Sequence, residues 1–214
     1  REAKDRMGFV LDDFLFEEKL SIASNGKLFG STYSHYDHGL FLKFCERFEL
    51  DPKQKTGRLS KGQRTRFQLA FALSHQAKLF IMDEPASGLD PLFRKDLTGC
   101  MQELVEDGTR SILFSTHLTA DLDQIGDYIA LIDEGRFYFC SDMESLRERY
   151  RLLEGSREAV EALQGPQILA VAHEDYGSTA LAEYPGPELT GRLASRAPTL
   201  NELLYYLQKG GCIR

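Results

Sequence analysis

Leu79-Phe80-Ile81-Met82 is an unbroken apolar run of four residues that stops on two carboxylates, Asp83 and Glu84. It is too short for a helix of its own, and a half-buried strand would alternate apolar with polar side chains. It predicts a strand buried on both faces, as inside a parallel sheet. Met7-Gly8-Phe9-Val10-Leu11 and Ser111-Ile112-Leu113-Phe114 predict two further strands. Helical patterns lie between them. Ser60 to Gln76 carries Phe67, Ala70, Phe71 and Ser74 on one face. Asp90-Pro91 opens another helix, with Asp as N-cap and Pro in the first turn. Leu97, Met101, Leu104 and Val105 give that helix an apolar side, and Gly108 stops it. Strands alternating with helices argue for an α/β layer on a mainly parallel sheet.

The segment 14–58 has a different texture. Ser21 and Ser24 stand near helix starts, and Phe41, Phe44, Cys45 and Phe48 recur at helical spacing before Pro52. A small helical lobe is expected there. After the third strand, a short helix is expected from Thr119 to Ile125. Tyr128 to Ile132, the turn Asp133-Glu134-Gly135, and Arg136 to Phe139 read as a hairpin. Ser141-Asp142-Met143-Glu144 has capping-box spacing for a helix reaching about Tyr150. Beyond it, Ile168 to Ala172 reads as a strand and Leu203 to Gln208 as a closing helix ended by Gly210-Gly211.

Composition narrows the function. With 26 basic and 33 acidic side chains the formal net charge is −7. A net acidic chain disfavours non-specific binding to a nucleic-acid backbone. No stretch approaches the roughly 18 apolar residues of a membrane-spanning helix. The chain opens on the charged run Arg1 to Arg6, not on Met or a secretory pattern, and is expected to be part of a longer protein. Cys45, Cys100, Cys140 and Cys212 are far apart and read as free thiols of a reducing compartment. His35 and His38 read as part of a polar loop rather than as metal ligands.

Three short patterns carry chemistry. Leu59-Ser60-Lys61-Gly62-Gln63 sets Ser and Gly at a helix mouth, where backbone N–H groups and the positive helix end suit a phosphate. Asp83 and Glu84 leave a core strand at its C-terminal end, where open α/β sheets place ligands. One carboxylate there can hold Mg²⁺, and its neighbour can orient or deprotonate water. Ser115-Thr116-His117 follows the next strand, and a His at such an exit can contact a phosphate or position water. Ser87-Gly88-Leu89-Asp90 lies between the last two as a tight turn.

In this order and spacing, the patterns resemble the ATP-binding subunits of bacterial ABC transporters, over about residues 7–139. The resemblance makes Ser60 to Gln63 the signature motif, Leu79 to Glu84 the Walker B strand, Ser87 to Asp90 the D-loop and His117 the switch histidine. It implies that Asp83 lies near Mg²⁺, that Glu84 is the catalytic base, and that His117 touches the γ-phosphate of ATP. Ser60 and Gly62, with Lys61 and Gln63 beside them, would meet the ATP held by an opposite subunit, too far from Asp83, Glu84 and His117 to share one phosphate within a subunit. Asp90 would sit at the dimer interface. Two positions depart from the family's pattern. Asp12 stands where a Q-loop glutamine is usual. As an acid it could still reach the cofactor's metal through water, though it cannot donate a hydrogen bond as an amide does. Lys61 replaces a commoner glycine. No G-x-x-x-x-G-K-[ST] phosphate loop occurs in the 214 residues.

The implied architecture is a partial P-loop NTPase (RecA-like) core. Residues 1–13 would end its N-terminal part and carry the Q-loop region, 14–58 would form an inserted helical subdomain, 59–139 the signature and core, and 140–214 a small α+β C-terminal extension. The implied role is ATP hydrolysis energising an exporter, by a peripheral subunit on the cytoplasmic face of the membrane. Its partners would be a separate transmembrane permease and a second ATPase subunit in a head-to-tail dimer, with no nucleic acid. This chain alone is expected to be inactive. The competing reading, a soluble ABC-type ATPase acting on DNA or ribosomes, calls for a long coiled coil or a second ATPase domain. Only about 47 residues separate Asp12 from Ser60, and one signature motif is present.

Overall fold

A computed structural model describes residues 2–174, 177–190 and 193–213. The chain forms two compact units, Arg1–His117 and Leu118–Arg214.

The first unit runs α1 (Glu2–Asp5), β1 (Met7–Val10), α2 (Ile22–Gly30), α3 (His38–Arg47), a single 3₁₀ turn at Thr56–Arg58, α4 (Lys61–Ser74), β2 (Leu79–Asp83), α5 (Pro91–Val105) and β3 (Ser111–Ser115). The strands form a parallel sheet in the order β1-β2-β3, with Val10 beside Met82 and Asp83 beside Ser115. All three therefore end on the same edge. Helix α4 is the centre of the unit. Its sequence suggests one apolar face, but every side chain from Phe67 to Ser74 is buried, the mark of a helix enclosed on all sides. One side meets the sheet so closely that a Cβ on Gly8 would lie 2.7 Å from Ala72 Cβ. Another side meets the lobe, where Phe41 and Phe67 are fully buried and the Phe16 ring contacts those of Phe14, Phe29, Phe67 and Phe71.

Two polar residues tie this apolar lobe to the approach of α4. Buried Asn25 donates to the carbonyls of Glu17 and Ser21 and to Thr56 Oγ1, and accepts from the Glu17 N–H. Buried polar groups persist only when satisfied in this way. The expectation that β2 is buried on both faces needs correction. Phe80 and Met82 are buried, but Leu79 and Ile81 are half-buried, and their neighbours Phe9 and Leu113 are 39% and 63% exposed. Within this unit α4 lies against the face that carries Gly8 and Phe80, opposite the one that carries Phe9, Ile81 and Leu113.

The second unit runs α6 (Thr119–Ile125), β4 (Tyr128–Asp133), β5 (Arg136–Asp142), α7 (Met143–Arg149), β6 (Tyr150–Gly155), α8 (Arg157–Glu161), β7 (Ile168–Glu174), β8 (Gly177–Glu183), α9 (Pro187–Thr190), β9 (Ala194–Arg196) and α10 (Leu200–Lys209). Strands β4 and β5 form the expected hairpin, with Glu134 and Gly135 both at positive φ in its turn. A four-stranded antiparallel sheet in the order β7-β8-β6-β9 follows. Helix α10 lays Leu203, Tyr206 and Leu207 into its core. Two helix starts differ from the sequence reading. The cap of α7 is Asp142, one residue later than the box placed at Ser141, and it accepts from the Ser145 N–H. Helix α10 begins three residues earlier than read, because Thr199 and Glu202 form a capping box.

Candidate functional site

The site lies on the shared C-terminal edge of the parallel sheet. Asp83 is the last residue of β2, and Glu84 follows at φ 45, a left-handed backbone that non-glycine residues adopt only under local constraint. The constraint comes from β3. The Glu84 N–H donates to the Ser115 carbonyl and to Ser115 Oγ, each at 3.2 Å. Ser115 Oγ donates in turn to Asp83 Oδ1 at 2.6 Å. The Glu84 carboxylate reaches back to His117: Oε1 accepts from the backbone N–H at 2.9 Å and lies 2.8 Å from ring Nδ1. Glu84 Oε2 is buried and has no hydrogen-bond partner among the described residues. A buried carboxylate oxygen without a partner is costly to keep.

The signature segment is organised by a reciprocal cap. Ser60 Oγ accepts from the Gln63 N–H at 3.2 Å and Gln63 Oε1 accepts from the Ser60 N–H at 3.1 Å. Helices leave their first N–H groups without intrahelical partners. The box takes up two donors at this mouth, and the N–H groups of Lys61 and Gly62 remain there for an anion. Gln63 thus spends its carbonyl oxygen on the cap. Asp90 caps α5 by accepting from the Phe93 N–H at 3.0 Å, as its sequence position implies.

The two departures from the family pattern meet each other. Lys61 Nζ lies 2.6 Å from Asp12 Oδ1, an ion pair about half exposed on both sides. The Lys61 stem runs past Gly88, which sits at φ +70 in the turn before Asp90. Asp12 is aimed by a residue that sequence reasoning missed. Gln68, buried in α4, accepts from the Leu11 N–H at 3.0 Å and donates to the Leu11 carbonyl at 2.9 Å. It closes the end of β1 as a neighbouring strand would. The available signal was an amide inside the apolar stretch Phe67 to Leu73. In the sequence Ser115 is only the start of a Ser-Thr-His pattern, and its link to both acids arises from the register of β2 and β3.

A cavity of about 270 Å³ joins these parts, lined by Asp12, Lys61, Arg64, Gln68, Asp83 and Glu84 among others. Two cations of α4 and the two acids at the end of β2, Asp83 and Glu84, therefore share one space within the unit. Ser60, Gly62, Gln63, Asp90 and His117 are not part of its wall. Among the described residues no cluster of three or more His, Cys, Asp or Glu forms a ready metal cage. Among them, too, no helix is long and apolar enough to cross a membrane.

Residues 13–122 match the family described as "AAA domain, putative AbiEii toxin, Type IV TA system". An uncharacterized ABC transporter ATP-binding protein of Bacillus subtilis, YxlF, is 30% identical over 152 residues, 69% of this chain and 50% of that protein. The Nod factor export ATP-binding protein I of Burkholderia lata is 33% identical over 144 residues, 64% of this chain and 46% of that protein. The chain thus spans about half the length of these relatives. A dimeric ATP-binding cassette in a post-hydrolysis state, bound to ADP and Pi, superposes with a TM-score of 0.59 at 21% identity, over 65% of this chain and 64% of that one. At that identity the likeness shows the fold, a P-loop NTPase of the ABC ATPase type. The chain belongs to the AAA-domain family that the matching model describes, and its homologues are the ATP-binding proteins of ABC transporters.

Proposed function

We propose that these residues form the catalytic and signature part of the ATP-hydrolysing subunit of an ABC exporter. Glu84 carries the reading. One carboxylate oxygen is held by His117, the other is buried with no partner among the described residues, and Glu84 lines the cavity. That oxygen takes the proton of an attacking water, while His117 keeps the carboxylate in place and offers its exposed ring to the γ-phosphate. Asp83 fits Mg²⁺. It is a hard oxygen donor whose Oδ1 is already oriented by Ser115, and Mg²⁺ is typically bound through one or two carboxylates together with substrate phosphates. Bound there, the ion would neutralise charge on the phosphates.

ATP fits this chain only in part. The 214 residues contain no phosphate loop with its lysine, so they supply the water-activating edge without the main cradle. Ser60, Lys61, Gly62 and Gln63 offer a helix mouth to the γ-phosphate of a nucleotide held by a second subunit, and Asp90 lies at the junction between the two. Asp12, ion-paired to Lys61, lines the cavity together with Asp83 and can reach the metal there through water. The four-part division 1–13, 14–58, 59–139 and 140–214 follows these roles. The subunit sits peripherally on the cytoplasmic face of the membrane with a separate transmembrane permease as its partner, and export is the direction, in keeping with the export role in the name of the Burkholderia relative. The test is Glu84→Gln in the full-length subunit. Turnover should fall by about 10²–10⁴-fold with nucleotide binding retained. Unchanged hydrolysis would reject the role given to Glu84.

A further inference from the structure

We propose that Ser115 is a positioning residue that sets both acids of the site at once, a role that rests on the reading of Glu84 as the base. Strands β2 and β3 are in parallel register with Asp83 directly opposite Ser115. From there one hydroxyl serves two residues. Its proton goes to Asp83 Oδ1 at 2.6 Å, and its oxygen accepts the Glu84 N–H at 3.2 Å. A hydroxyl has one proton and two lone pairs, so this uses its donor fully and orients what remains. The short bond to a carboxylate is of the charge-assisted kind and fixes the carboxylate plane. Asp83 then keeps its second oxygen for a cation.

The Glu84 N–H is shared between Ser115 Oγ and the Ser115 carbonyl, both at 3.2 Å. That pair holds the left-handed turn at Glu84, and the turn sends the Glu84 side chain back to His117. Without the hydroxyl, half of the shared bond and the whole Asp83 contact are lost. The Ser115 side chain is exposed and its polar contacts go to the two acids, so it does not serve core packing. A larger β-branched residue has room there and suits a strand.

Ser115→Thr and Ser115→Val test this in the full-length subunit, since they are nearly isosteric and differ in the hydroxyl. Thr should keep kcat within about twofold, while Val should lower kcat about tenfold or more with KM for ATP little changed. A second readout needs no turnover. Mn²⁺ binding in the presence of nucleotide, followed by electron paramagnetic resonance, should weaken about tenfold in Val and not in Thr. In the metal-free protein, amide exchange at Glu84 should be faster in Val than in Thr. Ser115→Ala repeats the comparison if Val melts early. A Val variant indistinguishable from Thr in all three readouts, with Glu84→Gln inactive, overturns the Ser115 role alone. Normal turnover in Glu84→Gln overturns the base assignment and the Ser115 role with it.

Discussion

Glu84 Oε1 accepts two hydrogen bonds from a single residue, the backbone N–H and the ring Nδ1 of His117. An ionised carboxylate oxygen can only accept, so against it Nδ1 is the donor. The ring bond adds to the backbone bond in steadying the base. His117→Ala keeps the backbone bond and removes the ring bond. Turnover of the full-length subunit should fall about 10²-fold, with nucleotide affinity much less affected. Single-turnover hydrolysis alongside equilibrium binding checks this. Loss of binding without loss of the chemical step would contradict it.

The 214 residues by themselves should neither bind ATP tightly nor hydrolyse it. The phosphate loop provides most ground-state contacts to the nucleotide, and it is not among these residues. Isothermal calorimetry with Mg·ATP should show no micromolar site. A micromolar dissociation constant would sink the expectation and turn attention to Lys61 and Arg64 in the cavity.

ATP should join two full-length subunits through the α4 mouth, and Ser60→Arg should block that closure by placing a bulky cation in it. Because Ser60 is also the N-cap, its replacement by Ala costs about 0.5–2 kcal/mol of helix stability without adding bulk. Ser60→Ala is therefore the control for stability. Light scattering on the Glu84→Gln background should show an ATP-dependent dimer for Ser60→Ala and a monomer for Ser60→Arg. A dimer indifferent to the arginine would refute the arrangement.

In the second unit, Arg196 draws the Glu202 carboxylate down to about 2 from its ordinary 4.5, helped by the Thr199 cap bonds. A carboxylate lowered on folding stabilises the fold above its unfolded value, and that contribution disappears as pH falls through the folded value. Urea unfolding of the second unit should be insensitive to Glu202 ionisation above about pH 4.5 and lose stability from there down toward pH 2. Glu202→Gln should be less stable at neutral pH and flatter across that window. A parallel decline in both proteins would remove Glu202 from the account.

Local signals in the chain are legible where one element contains its own instructions. The helix start at Ser60 lies where the sequence places it, whereas its reciprocal cap with Gln63 is visible only in the structure. Asp90 precedes Pro91 and caps α5. The apolar run before Asp83 is a strand in the sheet. The second unit was less legible between about 150 and 195. Strand β6 depends on pairing with β8 and β9, both distant in sequence, and its Leu152 and Leu153 could equally have continued a helix.

The types of chemistry available here, two acids, a histidine and a helix mouth, were written in short stretches, because caps and strand exits are properties of neighbouring residues. Their partnerships were not. Leu11 meets Gln68, Asp12 meets Lys61, Asp83 meets Ser115 and Glu84 meets His117 only because three parallel strands end on one edge with α4 packed beside them. Each pair lies more than 30 residues apart along the chain, well beyond one helical turn or one strand repeat. Parallel register and the close approach of α4 at Gly8 brought those side chains within hydrogen-bonding reach, and with them left one oxygen of Glu84 buried and without a partner among the described residues.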